Sequence, residues 1–170
     1  MSLNSPAVNA LVQSAKVLIV EDEAYSRKVI RSLLMTIGVR KVWEANDGKS
    51  GLTAICNVAP DIVLLDWDMP VLDGAQFMRQ VRSPTTFPMP AVPVIMVTGY
   101  GERSRVVEAV RLGVHEYLLK PVSTQALLSR MTAVLANPRP MVRRGDYYGP
   151  EPRKMWTYKP EEPRDIVLLD

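Results

Sequence analysis

The sequence predicts an α/β fold: one domain on a five-stranded, doubly wound parallel sheet with helices on both faces. Three observations predict it. Short apolar runs rich in β-branched residues alternate with stretches of helical spacing between residues 16 and 136. Three of the strand-like runs are nearly continuously apolar, as a sheet buried on both sides requires. At 170 residues the chain can bury one good core but not two ordinary ones.

The elements follow in chain order. Residues 1–15 are small and polar and are expected to be a loose leader. Strands are expected at 17–20, 42–45, 62–65, 92–97 and 116–119. The first helix follows from the stripe Val29, Ile30, Leu33, Leu34 and Ile37, with Gly38 placed to end it. Helices near 48–58, 73–83 and 102–112 follow the second, third and fourth strands. The last helix shows Leu127, Leu128, Met131, Val134 and Leu135 on one face. The domain is therefore expected to span 16–136.

From Asn137 to Asp170 the chain is Pro-rich, with Pro138, Pro140, Pro150, Pro152, Pro160 and Pro163 breaking any helix. No helix-turn-helix pattern or second core is visible there. This extension reads either as disordered or, given Tyr147, Tyr148, Trp156 and Tyr158, as partly ordered. Residues 165–170 repeat 61–66 letter for letter as Asp-Ile-Val-Leu-Leu-Asp. That is either coincidence or a strand that adds to a sheet edge or a partner chain, possible homodimer formation included.

Composition excludes several classes. The 47% hydrophobic and 23% charged content is that of a globular protein. Basic and acidic residues number 21 and 18 and are spread along the chain, so DNA binding is not expected. No run is long enough for a membrane span, and the single Cys56 fits a reducing cytoplasm.

In open parallel sheets, function collects at the carboxyl ends of the strands. The first strand runs into Glu21-Asp22-Glu23, the third into Asp66-Trp67-Asp68-Met69-Pro70, the fourth into Thr98-Gly99 and the fifth into Lys120-Pro121. Each has a bland reading. The acids could cap the first helix, Asp66 could begin a turn, Thr98 could cap the fourth helix, and Lys120 could be a solvated strand end. All four at one sheet edge suggest a shared pocket. Crowded carboxylates repel unless a cation neutralises them, and hard oxygen ligands suit Mg²⁺ shared with a phosphate. A carboxylate can itself accept a phosphoryl group as an acyl phosphate. Lys120 would then neutralise charge on the phosphoryl oxygens, and Thr98 would donate a hydroxyl.

These motifs together resemble the receiver domain of two-component response regulators: Glu21-Asp22, Leu-Leu-Asp-x-x-Met-Pro-x-x-Asp-Gly at 64–74, Thr98, and Lys120-Pro121. The resemblance implies a flavodoxin-like (βα)5 fold with strand order 2-1-3-4-5. It implies that Asp66 accepts phosphate from a sensor histidine kinase or phosphotransfer protein, and that a protein output partner reads the result. It implies Mg²⁺ held by Asp22 and Asp66, with Glu21 acting through water and the backbone carbonyl of Asp68 completing the set. It further implies that Lys120 pairs with the phosphate, that Thr98 moves to bond it, and that a cis Lys120–Pro121 bond aims the ammonium. Tyr117 matches the family's aromatic switch, or is an ordinary half-buried strand tyrosine. Asp73-Gly74 fits the turn that opens the third helix. A receiver is not expected to be a turnover enzyme. Asp68 and Tyr100 depart from the usual pattern beside the path of attacking water. Asp66-Trp67-Asp68 also resembles the Asp-x-Asp of haloacid-dehalogenase-type phosphohydrolases, but Pro70 and the early Glu21-Asp22 fit that family poorly. A docking-only pseudo-receiver is disfavoured by the complete acid, hydroxyl and lysine set.

Overall fold

A computed structural model describes residues 5–153. Strands β1 (Lys16–Val20), β2 (Lys41–Ala45), β3 (Ile62–Leu65), β4 (Val94–Thr98) and β5 (Glu116–Leu119) form one parallel sheet. Its order, β2-β1-β3-β4-β5, is the expected doubly wound arrangement. The helices are α1 (Pro6–Gln13), α2 (Ala24–Ile37), α3 (Gly48–Val58), α4 (Gly74–Val81), α5 (Arg103–Arg111) and α6 (Thr124–Ala136).

Alternation along the strands splits the core into two layers. Leu18, Val20, Val63, Leu65 and Met96 pack with Ile55 of α3, Phe77 and Met78 of α4, and Ala109 of α5. Val17, Ile19, Ile62, Leu64, Ile95 and Val97 pack on the other face with Ile30 and Leu34 of α2 and Leu127 and Met131 of α6. Each fully buried aliphatic side chain contributes about 1.5–3 kcal/mol. Gly38 ends α2 as expected, at φ 104° in the left-handed region, with its N–H donating to the carbonyl oxygens of Leu34 and Met35. The fourth strand begins at Val94, two residues later than expected. Pro93 has no N–H for the ladder, and the Val92 N–H closes a turn on Met89 instead.

One expectation is corrected. Residues 6–13 are a helix rather than a loose leader. Ser5 caps it by accepting from the Val8 N–H (3.3 Å), Pro6 stands at its start, and Val8 and Val12 are buried. A two-turn helix shows almost no periodicity in sequence, and its stability comes from packing on α6.

The extension, left open between disordered and partly ordered, forms a hairpin in its described part. Strands β6 (Met141–Arg144) and β7 (Tyr147–Pro150) make an antiparallel hairpin around Gly145-Asp146. The prolines stop helices, but they fall outside the strand interiors, where no ladder bond is lost. The hairpin seats on the turn between α5 and β5. A Cβ at Gly149 would lie 2.7 Å from the Cα of Gly113, and one at Gly113 (φ 88°) would lie 2.6 Å from the Tyr148 carbonyl oxygen. Arg139 donates to the carbonyl oxygens of His115 (2.7 Å) and Glu151 (3.0 Å), and Arg153 pairs with the buried Glu116. The repeated segment 165–170, with Trp156 and Tyr158, lies outside the described residues.

Backbone-to-backbone contact leaves no room for a methyl group. Gly149→Ala is expected to unseat the hairpin at a cost of about 1–3 kcal/mol while the five-stranded sheet persists. Hydrogen exchange should show faster exchange confined to residues 139–153. Unchanged protection there would contradict the close packing.

Candidate functional site

The ends of β1, β3 and β5 bring Glu21, Asp66 and Lys120 together, and Thr98 ends the neighbouring β4. Backbone bonds hold each strand end in place. The Asp66 N–H donates to Val20 O (3.0 Å), Glu21 N–H to Ala45 O (3.1 Å), and Lys120 N–H to Thr98 O (2.8 Å). The loop after Asp66 is supported from below by Gly74, whose Cβ would sit 2.9 Å from Trp67 Cα and 3.0 Å from Asp66 O. Only glycine lets α4 begin that close. Asp73 caps the same helix in a reciprocal pair with Gln76 (2.8 and 2.9 Å). Val71, on the same loop, has φ 71° and is 99% exposed. A β-branched residue in that region is strained by roughly 1–3 kcal/mol.

Glu21, Asp22 and Asp66 present carboxylate oxygens that all lie within 4.8 Å of one another. Glu21 and Asp66 are buried and Asp22 is exposed. Lys120 Nζ is 2.8 Å from Glu21 Oε2 and 3.6 Å from Asp66 Oδ1, so its tighter partner is Glu21. Burial, followed by repulsion from Glu21, pushes the Asp66 carboxyl from 3.8 up to about 7, although Lys120 pulls the other way. Burial alone would lower the Lys120 ammonium, but the Glu21 and Asp66 carboxylates outweigh it and hold it above its usual value. Two buried acids and one ammonium leave the pocket short of positive charge. A hard dication with oxygen preference fits that deficit and that donor set.

The bland readings fare poorly. Glu23 occupies the N-cap of α2 but makes no side-chain capping bond, and the cap of α5 is Glu102, not Thr98. Thr98 is buried, and its Oγ1 accepts from the Tyr100 N–H (3.3 Å). Tyr117 is buried rather than half-exposed, and its hydroxyl donates to Tyr100 O (2.5 Å). Burial pushes that phenol up to about 12. The Lys120–Pro121 bond is cis. Asp68 and Tyr100 are both exposed, and the neighbouring Asp68 carboxylate holds the Tyr100 hydroxyl above its usual pKa. A Cβ at Gly99 would meet nothing within 4 Å, so open space stands beside Thr98.

Two residues at the site were not visible in the sequence. Arg27 of α2 donates to the carbonyl oxygens of Glu21 (2.8 Å) and Asp22 (3.0 Å), fixing the acidic turn from one helical turn away. Arg105 of α5 stacks against both Trp67 and Tyr100, 5.2 Å from each ring centroid. An arginine on a helix looks like any solvated charge until the fold shows what it reaches.

A family model described as the response regulator receiver domain matches residues 17–132. Chemotaxis protein CheY of Pseudomonas aeruginosa is 33% identical over 119 residues, covering 70% of this chain and 94% of that protein. Chemotaxis protein CheY1 of Helicobacter pylori is 31% identical over 121 residues, covering 71% and 96%. Among solved structures, a response regulator receiver domain protein from Clostridium thermocellum aligns with TM-score 0.64 at 31% identity, covering 72% of this chain and 94% of its own. A putative response regulator from Chloroflexus aurantiacus aligns with TM-score 0.66 at 29% identity, covering 73% and 99%. The family model ends at residue 132, before the hairpin. With the sheet order, the acidic pocket and the family match in agreement, the chain belongs to the response-regulator receiver family, the phosphorylation-dependent switches of two-component signalling.

Proposed function

We propose that Asp66 is the phosphoacceptor and that a sensor histidine kinase or phosphotransfer protein is its donor. The supporting observation is Asp66 itself, a buried carboxylate beside Glu21 and within 3.6 Å of the Lys120 ammonium. An Asp66 oxygen attacks the donor phosphorus. The phosphorus–nitrogen bond of a phosphohistidine breaks, its electron pair stays on the imidazole, and the ring takes a proton from solvent. Glu21, Asp22 and Asp66, with the Asp68 carbonyl, are the residues that would hold Mg²⁺, which when bound neutralises charge on the phosphoryl oxygens. Lys120 has two carboxylate partners and can turn from Glu21 toward an added phosphoryl group. Thr98, buried beside open space, can donate its hydroxyl there.

The chain assists its own phosphorylation and slow self-dephosphorylation, and serves as a cytoplasmic switch read by a protein partner and not as a turnover enzyme. With acetyl phosphate, incorporation is expected in the presence of Mg²⁺ and is expected to vanish with a chelator. Steady hydrolysis of small phosphate esters at enzyme-like rates would instead favour the phosphohydrolase reading.

A further inference from the structure

Strand β5 is an edge of the main sheet, with β4 on one side and no described strand on the other. In a parallel ladder successive residues turn their backbone groups to opposite sides. The Lys120 N–H donates to Thr98 O on the β4 side, so Glu116 and Leu118 face β4 as well, and Tyr117 and Leu119 face the open side. The His115 carbonyl oxygen is met by Arg139 (2.7 Å), and Leu119 is 49% exposed. Open space flanks this edge on both faces of the sheet. Toward α5 it is lined by Val110, Tyr117 and Pro152, and toward α6 by Val134 and Asn137. The other sheet edge, β2, is of a different kind. Lys41, Trp43 and Glu44 stand exposed along it, and charged side chains discourage pairing.

The chain itself supplies a strand-forming sequence. Residues 165–170 repeat 61–66, and at 61–66 those letters form β3, whose residues Ile62–Leu65 are all buried and pair with strands on both sides. Such an apolar, β-branched run is costly to leave in water and prone to pair with other chains. The chain is also brought to the right place, since Arg153 pairs with Glu116, the first residue of β5. Arg139 and Arg153 make the edge basic, and the segment carries Asp165 and Asp170. Residues 154–164 separate Arg153 from that segment. They can span roughly 36 Å, whereas β5 is only about 13 Å long, so either strand direction is within reach. A tether of that length gives an effective concentration on the order of millimolar, which favours this chain's own edge over that of a second copy.

We propose that residues 165–170 add to the open side of β5 as a sixth strand of the main sheet. Their backbone bonds Tyr117 and Leu119, and alternate apolar side chains enter the spaces beside α5 and α6. The edge of β5 is thereby closed to other chains. This inference does not depend on the role of Asp66.

The test is amide hydrogen exchange, resolved by residue with NMR, on the full chain and on its Val167→Pro/Leu168→Pro double variant. The variant lacks two neighbouring N–H donors and cannot continue a ladder. The Tyr117 and Leu119 amides of the wild type are expected to exchange at least about tenfold more slowly than those of the variant, with Glu116 and Leu118 unchanged. In the wild type, nuclear Overhauser contacts should link the backbone of residues 166–169 to that of Tyr117 and Leu119. Both proteins should be monomeric by light scattering. Equal exchange at Tyr117 and Leu119 overturns the proposal, as does the absence of those backbone contacts. Slowing that extends equally to Glu116 and Leu118 also overturns it, because a general gain in stability would give that result. A dimeric wild type that the two prolines convert to monomer overturns it too, since the segment then pairs with a second copy.

Discussion

Asp66→Asn is expected to take up no phosphoryl group and, in chelator at pH 8, to melt at a higher temperature than the wild type. The two results share one cause. Ionised Asp66 is buried against Glu21 in the folded chain, and its pKa of about 7 stands above the 3.8 of an exposed aspartate. The folded state thus binds more protons than the unfolded state across that interval, so stability falls as pH rises from about 4 and the loss is complete above about 7. Taken whole, the rise corresponds to roughly 4 kcal/mol; relaxation and solvent screening around the partly hydrated site reduce the expected gain from asparagine to about 1–3 kcal/mol. For a domain of this size that is an increase of about 3–10 °C. The difference should shrink as pH is lowered toward 5, where the wild-type carboxyl is protonated. Mg²⁺ should raise the wild-type melting temperature more than that of the variant, because binding to the native state stabilises it. Equal melting temperatures at pH 8, or a gap that does not change with pH, would count against a strained acceptor carboxylate.

A second large effect is expected far from the pocket. Arg82 follows α4, is buried, and has no carboxylate partner among the described residues. It donates instead to the carbonyl oxygens of Gly113 (2.9 Å), Pro90 (2.7 Å) and Val92 (2.7 Å), and to His115 Nδ1 (3.2 Å). Burial lowers the guanidinium to about 10, which still leaves it charged at neutral pH. The Val94 N–H also points at His115 Nδ1 (3.3 Å), so the ring accepts there and carries its proton on Nε2. Burial and the neighbouring Arg82 push His115 down to about 3, and it stays neutral. One fork-shaped cation thus joins the end of α4, the loop before β4 and the α5–β5 turn. Arg82→Met fills similar space but leaves three carbonyl oxygens without a donor, and Arg82→Lys cannot reach them from one point. Either is expected to cost about 2–4 kcal/mol, a fall of roughly 5–15 °C in melting temperature. Urea titration checks the magnitude; a loss below about 1 kcal/mol would mean that water replaces the guanidinium readily.

The primary sequence by itself determined the five βα units, the two-layer core and the pocket at the strand ends. Those features are periodic or sit at fixed offsets from apolar runs, so they are local in the chain. Glu21, Asp66, Thr98 and Lys120 were legible because each ends or directly follows a strand, and a parallel sheet places all such positions on one edge. The helix at residues 6–13 and the hairpin at 141–150 were not legible. Their stability lies in contacts with α6 and the α5–β5 turn, and short segments carry little pattern of their own. Nor could spacing reveal that Arg105 lies over Trp67 and Tyr100, that Arg27 grips the acidic turn, or that Arg82 joins three segments. Long flexible side chains reach partners that differ in sequence position by tens of residues. Only the packed structure selects which of them they touch.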